Sequence, residues 1–467
     1  QQEKAKAWLQ ALQAIFPQRL YVELQQHLPE QEVLARRLAV LAQECALPVV
    51  ASQDVFYLQA EQAALQRTLS AMRLNTCLKK LPSQACAPVA SQFTTQLEMQ
   101  QRFAWLPAAL ENTQHLAECC RFDFPLGEMH FPELPLPPGK SAAQVLRSKA
   151  QAGAKRRYGK VSAEIQARLE YELEIIAQRG YEPIFLIVEE LLQFAAAEGV
   201  PVSSRGSAAS SLVAYCLGIT NPDPLALNLY FERFLNPARA TPPDIDTDLC
   251  SRRRERVIRH VFETYGADKV AMVGTINRFR PRSALGEAAK AHGLAASEVR
   301  QLVNALPHFF HPFASSAEEK EHPFAALITA YPQHLLIFEQ AQALLRQPRH
   351  LSMHPGGILV APQPITDLLP VMRSGGKGVT ITQIDLDAVE RFGLVKIDLL
   401  GIRGLTVLGD VAEAIYSWRR SEFRSAMQVL QAVPLDDAAT AERVRSAQTI
   451  GCFQIESPGM RATLRDI

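Results

Sequence analysis

Residues 241–249 read TPPDIDTDL and place three carboxylates, Asp244, Asp246 and Asp248, at every second position. In an extended strand alternate side chains point to the same face, so the three acids would project together. Neighbours on that face lie about 7 Å apart, and at an effective dielectric near ~20 each adjacent pair repels by roughly 2 kcal/mol. A positively charged partner must therefore offset this repulsion.

Three explanations of the acids are open. In a calcium loop of the EF-hand type, the three aspartates would take positions 1, 3 and 5 and Glu255 position 12. The sixth position of that loop needs glycine, but this chain has Leu249 there, and arginines at 252–254 fall inside the loop. A solvated acidic strand is the second explanation. The third is a site that holds two divalent cations for phosphoryl transfer.

A further carboxylate for a two-cation site occurs in FGLVKIDLLG at 392–401. Asp398 is the acid of an apolar run, and alternation puts it on one face with Lys396. The residues between them would point into the core: Val395, Ile397 and Leu399. A structural ion pair between a buried aspartate and a lysine has the same pattern.

Arg205, Gly206 and Ser207 stand between a strand-like segment and an apolar helix in PVSSRGSAASSLVAYCLG (201–218). Small residues at a helix start let backbone N–H groups approach an anion, and Arg205 adds positive charge. No GKS or GKT follows, so the segment is not a Walker A loop. A simple helix cap has the same pattern.

Two segments are basic, SRRRERVIRH at 251–260 and NRFRPRSALGEAAK at 277–290. Helical spacing of the apolar residues in the first segment leaves Arg252, Arg256 and Arg259 on another face. A basic helix face is usually solvated. Directly after a metal site, it could instead hold phosphates of DNA or of a nucleotide.

Composition limits the class of protein. The 467 residues are 48% hydrophobic and 21% charged, as in globular proteins, and the net charge of +1 means that any nucleic-acid site must be a local patch. No apolar run is long enough to span a membrane. The eight cysteines form no CxxC pair, which fits a reducing cytoplasm. The chain starts with Gln1 and stops in a helical pattern, so we expect a fragment of a longer protein.

The order of patterns predicts several domains. Residues 1–60 alternate helix and strand as in a βαβ unit with parallel strands, and 62–120 are mostly helical. The proline-rich passage PELPLPPGKS at 132–141 predicts an extended linker. Helices are expected at 143–157, 161–179, 283–347 and 404–467, with strands returning at 356–400.

Five motifs then stand in order and at plausible spacing: SSRGSAASSLVAYCLGITNPDPL, YFERFLNPAR, PPDIDTDL, HPGGILVAP and GLVKIDLLGIRGLT. The chain thereby resembles the bacterial DNA polymerase III alpha subunits, a family of C-family polymerases, from about residue 20 to its end. The resemblance implies an α/β and α+β multidomain fold. Its expected parts are the C-terminal part of a polymerase and histidinol phosphatase (PHP) domain at 1–125, a polymerase beta-like nucleotidyltransferase palm at 126–275 and 351–403, a helical thumb at 276–350, and the start of helical fingers at 404–467.

The resemblance also implies site residues. By motif match Asp244, Asp246 and Asp398 are the catalytic acids that bind two magnesium ions, and Asp248 is left without an assigned role. The expected nucleotide-binding residues are Arg205, Gly206, Ser207, Arg233 and Lys396. The expected DNA-binding residues are Arg278, Arg280, Arg282 and Lys290.

The N-terminal segment resembles the tail of a PHP domain, in which Glu23, His27 and Asp54 match remaining ligand positions. Phe56 stands where metal-bearing members carry a histidine, and phenylalanine cannot coordinate a metal. We therefore expect a structural role for this domain and a vestigial site at most.

The resemblance implies template-directed DNA synthesis from dNTPs on primer–template DNA, in replication or translesion repair, in the bacterial cytoplasm at the nucleoid. RPRSAL and RHLS resemble the error-prone branch, but the DIDTD region does not separate the branches. A sliding clamp, a clamp loader and a proofreading exonuclease are the implied partners. The alternatives are a non-catalytic DNA-binding scaffold, against which the intact acids argue, and a phosphoesterase acting through the N-terminal domain.

Overall fold

The structure is a computed structural model that describes residues 2–124, 126–236, 242–306, 323–376, 378–434 and 436–466. No helix in these ranges is long and apolar enough to cross a membrane. The chain divides into two compact units. Unit 1 is Gln1–Phe124 with Asn277–Arg349, and unit 2 is Pro125–Ile276 with His350–Ile467.

The fold is mixed α/β. The strands are β1 (Val22–Gln25), β2 (Val49–Ser52), β3 (Val202–Arg205), β4 (Asp246–Cys250), β5 (Val270–Arg278), β6 (Pro348–Val360), β7 (Val371–Arg373), β8 (Thr380–Thr382) and β9 (Lys396–Ile402). The helices of the first half are α1 (Gln2–Ile15), α2 (Glu32–Glu44), α3 (Ala63–Arg73), α4 (Gln96–Arg102), α5 (Pro107–Cys119), α6 (Ala142–Tyr158), α7 (Ala163–Arg179), α8 (Glu182–Ala197) and α9 (Leu212–Leu217). Those that follow are α10 (Arg254–Tyr265), α11 (Pro281–Ala291), α12 (Ala296–Asn304), α13 (Ala325–Ala330), α14 (Leu335–Leu344), α15 (Leu386–Arg391), α16 (Arg403–Trp418), α17 (Ala426–Gln431), α18 (Ala438–Arg445) and α19 (Pro458–Asp466).

Unit 1 contains two apolar cores. The first surrounds the parallel pair of β1 and β2 and includes Leu24, Ala51 and Phe103. The predicted parallel βαβ pattern of residues 1–60 is thereby confirmed. The second core lies among α11, α12, α13 and α14, with Leu65 and Met72 of α3 packed against it. The predicted helical segment 283–347 is confirmed for these helices, and residues 307–322 lie outside the described part of the chain.

Unit 2 is built on a mixed seven-stranded sheet of order β3-β4-β9-β6-β5-β8-β7. Alternate residues of its strands enter opposite cores, as a period of two requires. Met272 and Ile358 belong to the larger core with α6 to α10, whereas Val273 and Leu359 belong to the smaller core on the other face. Because both faces are covered, β5 begins with a continuous apolar run, VAMVG, whose residues are all buried.

The proline-rich passage is extended, as predicted, and packs on unit 2. Phe131, Leu134 and Leu136 are partly buried against the larger core. Just before it, His130 N–H donates to the Gly393 carbonyl at 2.8 Å. Unit 2 starts at Pro125, ahead of the passage, and the first half of the passage packs on its core, whereas residues 137–141 are exposed. The predicted helices around 143–157, 161–179 and 404–467 are confirmed as α6, α7 and α16 to α19.

Candidate active site

The acids of the DIDTD motif meet Asp398 on neighbouring parallel strands. β4 pairs with β9 in a register that sets Asp246 beside Asp398. β3 runs antiparallel on the other side of β4, with Arg205 opposite Asp246. Carboxylate oxygens of Asp244, Asp246 and Asp398 lie within 4.8 Å of one another. Because β4 is paired on both edges, the acids do not form an EF-hand loop.

The acidic cluster, as we call Asp244, Asp246 and Asp398, ranges from exposed to buried. The side chains are 57%, 24% and 7% exposed in that order. Burial raises the pKa of Asp246, and the charges of Asp244 and Asp398 raise it further, whereas Arg205 opposes them. This mutual repulsion favours binding of cations at the exposed end of the cluster.

One carboxylate oxygen of the cluster has no partner within the described residues. Asp398 Oδ1 is buried without a hydrogen bond, while Oδ2 accepts from Lys396 Nζ at 2.5 Å. A buried polar atom left unsatisfied is costly, and a cation would satisfy it. Carboxylate oxygens are the ligands that hard divalent cations prefer, so the residues present fit a divalent metal site.

Lys396 forms an ion pair with one acid of the acidic cluster and lies near a second. Its Nζ lies 2.5 Å from Asp398 Oδ2 and 4.0 Å from Asp244 Oδ1. Burial lowers the pKa of Lys396, but the hydrogen bond that Lys396 donates to Asp398 and the charges of both acids outweigh burial and raise the pKa. Val395, Ile397 and Leu399 point into the core, as alternation predicts. Asp398 is therefore both the partner of a buried ion pair and a member of the acidic cluster.

Asp248 has a different environment from the cluster. Its side chain is 3% exposed, and both of its oxygens accept from Arg205 Nε, at 3.2 and 3.0 Å. Arg205 Nη1 lies 3.3 Å from Asp246 Oδ2. Burial raises the pKa of Asp248, and the charge of Arg205 opposes this. Arg205 thus supplies part of the positive charge that the DIDTD repulsion requires.

Gly206 follows Arg205 at the start of a short 3₁₀ helix, Gly206–Ser210. Its φ is +81°, and a Cβ there would lie 3.8 Å from Asp246 Oδ2. A left-handed backbone conformation favours glycine. The chain therefore turns away from β3 at Gly206, directly beside the acidic cluster. Ser207 is the next residue along the chain.

The first amides of α9 bind a carboxylate of the protein itself. Glu172 of α7 is fully buried and accepts from the N–H groups of Leu212 and Val213, each at 3.0 Å, and from Ser211 Oγ at 2.8 Å. Arg168 Nε donates to Glu172 at 2.7 Å. The helix start predicted as a cap or an anion site is thus occupied by Glu172.

Sequence reasoning did not identify Glu172, although a signal was present. Ile165, Leu169 and Ile176 are core residues at helical spacing on α7, and Glu172 stands in that apolar row. Burial raises the pKa of Glu172, while its donors lower it. A charged residue at a core position of an amphipathic helix indicates a buried polar partner.

His354 in the HPGG segment was also missed as a positioned residue. Its Nδ1 accepts from the N–H groups of Gly356 and Gly357, at 3.1 and 2.6 Å, and Gly357 stands opposite Asp398 on the neighbouring strand. Burial lowers the pKa of His354. A Cβ at Gly357 would lie 3.0 Å from that nitrogen and 3.3 Å from Lys396 Cδ, so a side chain at this position would force both neighbours to shift.

The basic face predicted on 251–260, formed by Arg252, Arg256 and Arg259, is only partly paired: Arg256 contacts Glu198 at 3.4 Å, and Arg259 is exposed. Arg252 pairs with Asp410, and Arg253 contacts Glu413 of the same α16. Arg254 is buried and donates through Nε to the Leu399 carbonyl at 2.5 Å. Arg252 and Arg253 join the start of α10 to α16, and Arg254 joins it to β9.

The predicted DNA-binding residues lie in unit 1, at the end of β5 and along α11. Arg278, Arg280 and Lys290 are exposed, and Arg282 is half-buried. Arg278 Nη1 donates to the Arg346 carbonyl at 3.1 Å. Arg282 Nη2 donates to Asn304 Oδ1 at 3.2 Å, which ties α11 to α12.

The remaining predicted residues belong to other elements than those that carry the acidic cluster. Arg233 is exposed at the end of a 3₁₀ turn, Phe231–Arg233. Glu23 on β1 accepts from Ser52, and Asp54 is exposed. Within the described ranges these two and His27 form no metal-binding group.

Comparison with known proteins gives two family matches. The model described as the bacterial DNA polymerase III alpha NTPase domain matches residues 144–401. The model described as the bacterial DNA polymerase III alpha subunit finger domain matches residues 404–467.

Curated relatives cover nearly the whole chain. The DNA polymerase III subunit alpha of Thermus aquaticus is 34% identical, over 99% of this chain and 43% of the relative. The error-prone DNA polymerase of Symbiobacterium thermophilum is 35% identical, over 98% and 42%. The DNA polymerase III subunit alpha of Bacillus subtilis is 32% identical, over 99% and 41%. The chain thus spans 41–43% of the length of these relatives.

Proposed function

The chain belongs to the family of bacterial DNA polymerase III alpha subunits, and from that membership we propose that it carries the catalytic centre of a DNA-directed DNA polymerase. The reaction is the transfer of a dNMP from a dNTP to the 3′ end of a primer, in replication or in translesion repair. The observation that carries the proposal is the acidic cluster, assembled from two strands that are far apart in sequence.

The parts of the polymerase follow the sequence predictions. We assign the palm to 126–275 and 351–403, which include the seven-stranded sheet, and the fingers to 404–467. The thumb is 276–350, and residues 1–125 are the C-terminal part of a PHP domain with a structural role. The sheet with helices on both faces, and a separate helical core at 281–344, support this division.

Asp244, Asp246 and Asp398 would hold two divalent cations, for which we propose magnesium. When bound, such cations neutralise charge on the attacking 3′ oxygen and on the leaving pyrophosphate. The fit rests on the unpartnered Asp398 Oδ1 and on the position of Asp246, whose pKa is raised by burial and by the repulsion of the neighbouring acids.

The basic residues of the site bind the triphosphate. Arg205 lies against Asp246, and its planar fork of donors suits phosphate oxygens. Gly206 and Ser207 bring the backbone near the acidic cluster with little side-chain bulk, so their amides can approach an anion. Lys396 at the buried end and the exposed Arg233 add positive charge for the nucleotide.

The exposed residues Arg278, Arg280 and Lys290 bind phosphates of the primer–template duplex, and Arg282 orients α11. These contacts position the duplex without reading its sequence. A sliding clamp, a clamp loader and a proofreading exonuclease are the partners that we propose for the longer protein.

Asp246→Asn and Asp398→Asn in the intact protein test this function by primer extension with magnesium. We expect each to lower the rate by roughly 10²- to 10³-fold or more, because each removes charge that acts on the reacting phosphate. Duplex binding, measured by fluorescence anisotropy, should change little.

Asp387→Asn is the matched control, since this acid is exposed on α15 in the same unit. It should extend primers like the wild type. Near-normal extension by Asp246→Asn or Asp398→Asn would overturn the assignment.

A further inference from the structure

Asp248 is the acid of the DIDTD motif that the acidic cluster leaves out. Its oxygens lie outside the group of three that come within 4.8 Å of one another in the described residues. It is almost fully buried, and both of its oxygens are bound by the same donor, Arg205 Nε. A buried carboxylate already paired in this way has its charge compensated within the protein.

The strand register explains how Arg205 contacts two acids of β4. Arg205 stands opposite Asp246, and Asp248 stands opposite Ser203. The Arg205 side chain therefore reaches diagonally along β4 to place Nε on Asp248. A guanidinium is planar with donors in fixed directions, so holding Nε also fixes where the Nη groups point. Nη1 is held 3.3 Å from Asp246 Oδ2.

The two basic residues of the site each pair closely with one acid and more distantly with another. Lys396 contacts Asp398 at 2.5 Å, and Arg205 contacts Asp248 at 3.0 Å. Asp244 and Asp246 have only longer contacts with these two bases, at 4.0 and 3.3 Å. The more exposed acids thus keep charge for cations, while Asp248 is committed to Arg205.

We propose that Asp248 is a positioning residue for Arg205 and not a metal ligand. It holds the guanidinium so that the Nη groups face the triphosphate of the incoming nucleotide beside the acidic cluster. This inference rests on the proposed function and adds to it a specific role for Asp248 in nucleotide affinity.

The experiment uses Asp248→Asn, Asp248→Ala, Arg205→Ala and the double variant Asp248→Ala/Arg205→Ala in the intact protein. We expect either Asp248 variant to raise the KM for dNTP roughly 10- to 100-fold, the worth of a charge-assisted contact, with kcat lowered less than about threefold. The double variant should be no worse than Arg205→Ala, because both substitutions remove one interaction. Circular dichroism checks the fold, and the near-isosteric Asn variant serves if Ala unfolds the protein.

Manganese binding, followed by electron paramagnetic resonance without nucleotide, separates positioning from metal ligation. Asp248→Asn should bind Mn²⁺ like the wild type, and Asp246→Asn should bind it more weakly. Loss of Mn²⁺ binding in Asp248→Asn, or additive effects in the double variant, would overturn the inference.

If the wild-type protein extends no primer, the proposed function is wrong, but the role of Asp248 can still be tested. Equilibrium binding of dATP then decides: Asp248→Asn must weaken it by about the same factor as Arg205→Ala. Equal dATP affinity in Asp248→Asn and wild type would overturn the inference on its own.

Discussion

Lys396 is the residue on which the buried end of the acidic cluster depends. Its Nζ bonds Asp398 inside unit 2, where both side chains are largely shielded from water. Removing one partner of a buried pair leaves an uncompensated charge and costs about 3–5 kcal/mol. Without the lysine, a divalent cation would supply positive charge to Asp398.

Lys396→Met should therefore lower the free energy of unfolding by roughly 3 kcal/mol when divalent cations are removed with EDTA. Calcium should then restore more stability to the variant than it adds to the wild type. Urea unfolding of the 467-residue chain, with EDTA or calcium, measures both.

Lys269→Met is the matched control, because Lys269 forms an ion pair with the exposed Glu133. Such a surface pair contributes about 0–1 kcal/mol, and its loss should not change the response to calcium. An equal calcium effect in Lys396→Met and the wild type would contradict the proposed balance of charge.

At the scale of elements, Glu172 fixes the start of α9 and with it the segment that carries Gly206 and Ser207. The carboxylate accepts from Leu212, Val213 and Ser211, and Arg168 also donates to the carbonyls of Ser210 and Leu229. This network joins α7 to the 3₁₀ helix and α9 of the same unit. The position of the predicted triphosphate-binding segment therefore depends on a side chain from another helix.

Glu172→Gln should cost about 2–4 kcal/mol in the free energy of unfolding, since it leaves Arg168 and the α9 amides without a charged acceptor. The KM for dNTP of the intact protein should rise as well, because the Gly206–Ser210 segment loses its support. Glu174→Gln is the control, because Glu174 lies on the exposed side of α7, and it should change neither the stability nor the KM. Unchanged stability in Glu172→Gln would contradict this account.

The sequence predicted helices and strands better than the partners that join them. Alternation and helical spacing indicated α6, α7, the parallel β1–β2 pair and the inward face of β9. The cap of α9 was not predictable, because Glu172 stands 40 positions before Leu212. The Arg205–Asp248 pair was missed for the same reason. The two residues lie 43 positions apart, and only the strand register determines that they pair. Composition carries no information on such register.

At the scale of the whole molecule, the chain folds into two units with separate cores. In unit 1, Thr68 of α3 donates to Gln340 of α14 at 2.6 Å, across 272 positions of sequence. The predicted N-terminal segment and the predicted thumb thus belong to one compact unit, which local patterns cannot reveal because the contact spans the whole of 125–276. The predicted domain boundaries themselves stay predictions.

Two compact units, each with its own cores, predict two unfolding transitions in a calorimetric scan of the 467-residue chain. The acidic cluster lies in unit 2, so calcium should raise the temperature of one transition only, by an added stability of about 2.7 kcal/mol at a hundredfold excess over its dissociation constant. Phe185→Ala, in the larger core of unit 2, should lower that same transition by the equivalent of about 3–5 kcal/mol.

Phe338→Ala provides the converse variant, because Phe338 is fully buried in the helical core of unit 1. It should lower the transition that calcium leaves unchanged. A single cooperative transition that both variants and calcium shift together would contradict independent units. Each transition can then be assigned to a unit. The transition that calcium and Phe185→Ala shift belongs to unit 2, and the one that Phe338→Ala shifts belongs to unit 1.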